Sequence, residues 1–128
     1  MPESVVVLKR EVAAVDGVLI ATPEYNQSIP GVLKNAVDWL SRRPDRVLRG
    51  KPVAIAGATP GPWGTRSAQR ELRHVLTALE ALVLPAPAVY LREAATAFDG
   101  ESLTDERTRE SLRRLLAAFA EWISLHSR

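Results

Sequence analysis

Two short segments carry the side chains best suited to holding a ligand. Pro23-Glu24-Tyr25-Asn26 combines an aromatic ring, an amide and the backbone N–H groups of a Pro-bounded loop. Ala58-Thr59-Pro60-Gly61-Pro62-Trp63-Gly64 adds a hydroxyl, a second large ring, and glycines that let backbone amides approach a ligand closely. Rings can wall a flat molecule while amides and hydroxyls address its polar edge. That is the task of seating a cofactor that carries its own chemistry. Catalysis by side chains has less support: no Ser/His/Asp order stands out, and His74 and His126 are isolated, without metal-ligand spacing. Both read as surface residues. Taken alone, Pro, Tyr and Asn also make a good turn, and the Gly/Pro-rich segment a plain connection.

Each segment follows a strand-like run. Gly17-Val18-Leu19-Ile20-Ala21 is short, β-branched and uncharged, as a strand buried on both faces would be, and Val18–Thr22 is taken as the strand. Pro52–Gly57 is a second apolar strand, and a third, Pro-interrupted one lies within Leu84–Leu91, which suits a sheet edge. Helices are expected between them. Pro2–Val15 places Val5, Leu8, Val12 and Val15 on one face. Pro30 opens a helix with Leu33, Ala36, Val37 and Leu40 inward, and Arg43-Pro44-Asp45 ends it. Thr65 caps a long helix that buries Ala68, Leu72, Val75, Leu76, Leu79 and Leu82. Ala94–Leu103 reads as loop. A last helix from Thr104, with Asp105 and Glu106 in its first turn, buries Leu112, Leu115, Leu116, Phe119, Trp122 and Ile123. The order α-β-α-β-α-β-α predicts an α/β domain spanning 1–128, with a parallel sheet and helices on both faces. Ligand sites in such sheets form at the carboxyl ends of the strands.

Composition narrows the class. The chain has 128 residues, 46% hydrophobic and 25% charged, an ordinary globular balance. A net charge of +2 gives little support to nucleic-acid binding. No cysteine is present, so there is neither a disulfide nor a thiolate metal site, which fits the reducing cytoplasm. Met1-Pro2-Glu3-Ser4 is not a basic leader and no apolar run reaches membrane length. The expectation is a soluble intracellular domain with no membrane or nucleic-acid partner. Arg42, Arg43, Arg46, Arg49 and Lys51 cluster around one helix end and read as a solvated face complementing the helix dipole.

The stretch Pro23-Glu24-Tyr25-Asn26-Gln27-Ser28-Ile29-Pro30-Gly31-Val32-Leu33-Lys34-Asn35-Ala36-Val37-Asp38-Trp39 resembles the signature of the NADPH-dependent FMN reductases. That flavodoxin-like family includes quinone, chromate and azo-dye reductases. The resemblance implies an FMN-dependent oxidoreductase that takes hydride from NAD(P)H and passes electrons to a quinone, flavin or similar small acceptor. It places Pro23, Glu24, Tyr25 and Asn26 beside the isoalloxazine, with Thr59, Gly61, Trp63 and Gly64 in the neighbouring loop. The family commonly has Gly-Gly before an Arg-Ala-Gln helix start, whereas this chain reads Gly64-Thr65-Arg66-Ser67-Ala68-Gln69. The basic cluster could then also attract NADPH phosphates. No catalytic side chain and no metal ligand is implied.

Beside the core face of the helix after Pro30 runs a second stripe, Asn35, Asp38, Trp39 and Arg42, at i, i+3, i+4, i+7. Trp and Arg with polar neighbours are typical of interfaces, and the resemblance implies a homodimer or homotetramer through this helix. A Trp lying across a groove within one subunit is the alternative. Against the five-stranded family template the chain aligns with the latter part only. Strand 1, helix 1 and strand 2, with the Ser/Arg/Asn-rich phosphate loop, have no counterpart in the sequence before Gly17. The competing expectation is therefore a flavin-less relative that acts only as an oligomerising α/β module.

Overall fold

The structure, a computed structural model, describes residues 1–127. Its elements in chain order are α1 (Glu3–Ala14), β1 (Val18–Thr22), α2 (Gly31–Leu40), β2 (Pro52–Ala58), α3 (Arg66–Ala78), β3 (Leu82–Val83), β4 (Val89–Leu91), β5 (Phe98–Asp99), β6 (Ser102–Leu103) and α4 (Glu106–His126), with a 3-10 turn at Ala94–Ala97 before β5. β2 is the centre of the sheet. β1 pairs with it in parallel, Val18 opposite Val53 through Thr22 opposite Gly57. On its other side β3 and then β4 pair with it, also in parallel. All main strands therefore run the same way, and their carboxyl ends share one edge.

The two faces of β2 separate the core. Val53 and Ile55 meet Val12, Val37, Leu40, Leu72 and Leu76 from α1, α2 and α3. Ala54 and Ala56 meet Leu115 and Phe119 of α4. The small alanines let α4 lie close, and Gly17 deepens this fit: a Cβ there would stand 2.7 Å from Ile123. The result is a three-layer flavodoxin-like α/β sandwich.

Several expectations change. β1 is not buried on both faces: Leu19 is 44% exposed and Ala21 is exposed, because α4 lies over β2 and β4 rather than over β1. On α1, Val15 lies past the last helical turn and is exposed, while Lys9 is buried among the apolar positions. Its ammonium donates to the Arg42 carbonyl just beyond α2, so burial of the charge is matched by a helix-end acceptor. α3 stops at Ala78: Glu80 takes a left-handed φ of 62°, Ala81 N–H reaches back to the Leu76 carbonyl, and Leu82 belongs to β3. The third strand is split in two. The gap contains Pro85 and Pro87; beside it the Arg73 guanidinium donates to the Leu84 carbonyl and the Trp122 indole N–H to the Leu82 carbonyl. The expected loop after Ala94 contains a small antiparallel hairpin, Phe98 opposite Leu103. Leu116 is 49% exposed on α4. His126 is not isolated, for its ring packs against Trp122 with centroids 4.4 Å apart.

Candidate functional site

The site grows from one register pair. Thr22 ends β1 opposite Gly57 near the end of β2. Gly57 admits no side chain: a Cβ would collide with Thr65 Oγ1 and stand 2.7 Å from the Thr22 carbonyl oxygen. The two chains therefore leave the sheet side by side, each into one of the loops singled out above.

The first loop is rigid for a local reason. Tyr25 and Ser28 exchange backbone hydrogen bonds of 2.9 and 3.0 Å across Asn26 and Gln27, which have φ of 51° and 63°. Two consecutive left-handed residues make a tight reversal, which Asn tolerates and Gln does not prefer. Tyr25 (58% exposed) and Asn26 stand outward from this turn. Glu24 does not: its carboxylate accepts from the Ala68 N–H at 2.7 Å. It thereby caps α3 from another segment of the chain. Thr65, expected to cap that helix, is buried and makes no side-chain cap; its hydroxyl accepts from Gln69 instead.

The second loop leans on the segment after β4. Thr59 N–H donates to the Leu91 carbonyl, Ala94 N–H to the Thr59 carbonyl and Glu93 N–H to the Gly61 carbonyl. Thr59 Oγ1 accepts from Gly61 N–H at 3.3 Å and keeps its own proton to donate. Gly64 has φ of 68° and lies against Tyr90, where a Cβ would come within 3.2 Å. Trp63 is 80% exposed, a large ring without a partner in the fold. Pro23, Glu24, Tyr25 and Asn26 on one loop and Thr59, Gly61, Trp63 and Gly64 on the other thus share the carboxyl edge. Tyr25, Asn26 and Trp63 present open surface, whereas Glu24 and Gly64 hold the loops in place.

The stripe on α2 lies elsewhere. Asn35, Asp38, Trp39 and Arg42 together line a shallow surface depression. Asp38 is paired with Lys34 at 2.9 Å and Trp39 is half-buried. The basic cluster is largely committed internally. Arg46 and Arg49 pair with Glu80, and Lys51 donates to the carbonyls of Ala13 and Val15 at the end of α1. Among the described residues no group of His, Cys, Asp and Glu is arranged to hold a metal ion, and no helix is long and apolar enough to cross a membrane.

Sequence reasoning missed the Glu24 cap because its partner lies 44 residues away. The turn that Pro, Tyr and Asn suggest is present at Asn26–Gln27, and it leaves Tyr25 and Asn26 exposed.

This exposed, ring-bearing edge suits a planar ligand, and comparison with known proteins gives that reading a frame. The family described as NADPH-dependent FMN reductase matches residues 1–96. An NAD(P)H-dependent FMN reductase of Pseudomonas aeruginosa is 43% identical over 123 residues, covering 95% of this chain and 66% of that protein. A quinone reductase of Escherichia coli is 41% identical over 124 residues, with the same two shares. The chain thus spans slightly less than two thirds of the length of these curated relatives. The solved structure of FerB, a flavoenzyme NAD(P)H:(acceptor) oxidoreductase from Paracoccus denitrificans, superposes with a TM-score of 0.90 at 39% identity, over 98% of this chain and 70% of that one.

Proposed function

The chain belongs to the NADPH-dependent FMN reductase family, and from that premise we propose that it serves an FMN-dependent NAD(P)H oxidoreductase with a quinone, flavin or similar small acceptor. One observation supports this reading above the others. Two adjacent parallel strands end in register at Thr22 and Gly57 and release paired loops that present Tyr25, Asn26 and Trp63 outward. The residues present suit the cofactor. Trp63 and Tyr25 offer uncommitted ring faces, and Gly57 and Gly64 let the loops close against Thr65 and Tyr90 and so hold those rings at the edge. FMN, when bound there, would supply the two-electron chemistry between NAD(P)H and acceptor.

The protein's own part is binding and orientation. Tyr25 and Trp63 would wall the ring and exclude water from its faces. Asn26 and the free proton of the Thr59 hydroxyl would address the polar edge. Glu24 acts at one remove, fixing the first loop to α3. No side chain is asked to act as nucleophile or general base. We also propose that the stripe Asn35, Asp38, Trp39, Arg42 is the surface through which copies associate as a dimer or tetramer, and that the protein works in the cytoplasm. Trp39, an aromatic beside an Arg, is the kind of residue that anchors such contacts.

Flavin titration with fluorescence detection tests the proposal. Saturable FMN uptake, weakened tenfold or more by Tyr25→Ala and by Trp63→Ala with unchanged thermal melting, is the expected result. NAD(P)H oxidation by a quinone should then depend on added FMN. Absence of FMN uptake would instead favour a flavin-free associating module, for which light scattering of Trp39→Ala against wild type is the direct measurement.

A further inference from the structure

Beside the free side of β4, the first turns of α3 and α4 enclose a cleft of about 380 Å³. Arg66, Tyr90, Arg92, Arg107, Thr108 and Ser111 line it, and no acidic side chain does. We propose that this cleft binds a phosphorylated small molecule. The inference goes beyond the proposed function and does not rest on it, since none of these residues belongs to the loops assigned to the flavin.

Charge pairing carries the argument. Most arginines elsewhere are neutralised locally: Arg10 by Glu11, Arg46 and Arg49 by Glu80, Arg70 by Glu71, and Arg109, Arg113 and Arg114 by Glu106 and Glu110. Arg42, Arg43 and Arg73 have no carboxylate partner among the described residues but lie outside this cleft. Arg66, Arg92 and Arg107 have no carboxylate within ion-pair distance among the described residues, yet they share one cavity. Like charges gathered without a counter-charge are a cost to the fold that a bound anion relieves. Asp105, the acid next to this group, acts on Arg107 only weakly and at a distance, with no ion pair between them. Its carboxylate caps α4, accepting from both the N–H and the hydroxyl of Thr108. Arg66 is also held in place: its guanidinium lies 4.4 Å over the centroid of the Tyr90 ring. Stacking restricts a flexible side chain while leaving its N–H edge open, so less freedom is lost on binding.

Chemistry and size then select the ligand. A carboxylate has two oxygens and satisfies one guanidinium fork, whereas a phosphate presents enough oxygens for several. The volume lies within the range of small-molecule sites, about 300–1,000 Å³, so it holds a phosphate together with the organic group that carries it.

Isothermal titration of the protein in phosphate-free, low-salt buffer tests this, with pyrophosphate, 2′,5′-ADP and adenosine as probes. The expected result is saturable binding of 2′,5′-ADP that weakens with added salt, and none of adenosine. Arg66→Gln and Arg107→Gln should each weaken it about tenfold to a hundredfold, and Arg107→Lys should recover part of the loss. Arg113→Gln, paired with Glu106 on α4, should leave it unchanged. Binding of pyrophosphate as tight as that of the nucleotide would support a site reading phosphate alone; tighter nucleotide binding would support a nucleotide site. FMN titration of the same variants, expected to be unaltered, keeps the two sites apart. The proposal is overturned if neither phosphorylated probe binds, if adenosine binds as well as 2′,5′-ADP, if the two glutamine variants bind like wild type, or if they lose FMN in step.

Discussion

The two ends of the sheet handle polar groups in opposite ways. At the amino end, several cations are tied to the fold, although Arg42 and Arg43 are not among them. Lys9 holds the Arg42 carbonyl, Lys51 holds the last carbonyls of α1, and Arg46 and Arg49 hold Glu80, whose own carbonyl accepts from Gly50. At the carboxyl end Tyr25, Asn26, Trp63, Arg66, Arg92 and Arg107 are outward or line a cleft. The same residue types close helix ends in one place and are left available in the other. Function is therefore indicated less by which residues are present than by which lack an internal partner, and substitutions at the two ends should separate stability from binding.

The largest expected effect crosses that division. Gly57→Ala forces a Cβ into Thr65 Oγ1 and the Thr22 carbonyl, and should destabilise by about 3 kcal/mol while also abolishing FMN uptake. Urea unfolding and flavin titration measure the two losses. Lys9→Ala should show the amino-end pattern. It leaves a helix-end carbonyl without its donor and opens a gap, costing about 2 kcal/mol, and ligand titrations normalised to folded protein should not change. Retained stability in that variant would break the comparison at its firmest point.

Glu24→Ala sharpens the contrast, because Glu24 sits at the binding end yet serves the fold. Losing the cap on Ala68 N–H should cost about 1 kcal/mol, and the loosened loop should weaken FMN binding without altering which acceptor is reduced. Glu24→Gln, which retains an acceptor oxygen, should recover most of the stability. If Glu24→Ala instead leaves stability untouched and removes FMN binding entirely, the carboxylate belongs to the ligand and not to the helix.

The smallest effect concerns acid. Hydrogen bonds from the Thr108 hydroxyl, then from its N–H, hold Asp105 below its ordinary pKa, with Arg107 contributing. A carboxyl depressed in the folded state stabilises above its unfolded pKa of about 3.9, and that stabilisation is lost as pH falls through the folded value. Thermal melts should therefore show a slightly shallower decline below about pH 4 for Asp105→Ser, which caps without titrating, than for wild type. Parallel acid limbs would show that the cap contributes nothing measurable.

Much of the fold was legible because it is periodic. β1 spans Val18–Thr22 as expected, β2 runs one residue further, and the helical stripes of α2 and α4 largely bury as their spacing predicts. The third strand was legible only as an apolar, Pro-broken run. Its division into β3 and β4 falls at that break, Pro85 and Pro87, while the Arg73 guanidinium on the Leu84 carbonyl at its edge was not legible. Lys9 was read past for a related reason, since a lysine among valines says nothing of an acceptor 33 residues on. At the site the residue types were legible and their allocation was not. Tyr25 and Glu24 are neighbours in one motif, but only the tertiary approach of α3 turns one outward and the other into a helix cap.

The placement of the three tryptophans has an optical consequence. Trp122 is half-buried with its indole N–H on Leu82, Trp39 is half-buried on the α2 stripe, and Trp63 is 80% exposed at the loop edge. Emission from Trp122 should follow the docking of α4 and hence unfolding. Emission from Trp39 should follow the proposed contact between copies, and quenching of Trp63 the proposed arrival of a ring at the paired loops. Three single-tryptophan variants would then record folding, assembly and ligand capture as separate signals from the same polypeptide.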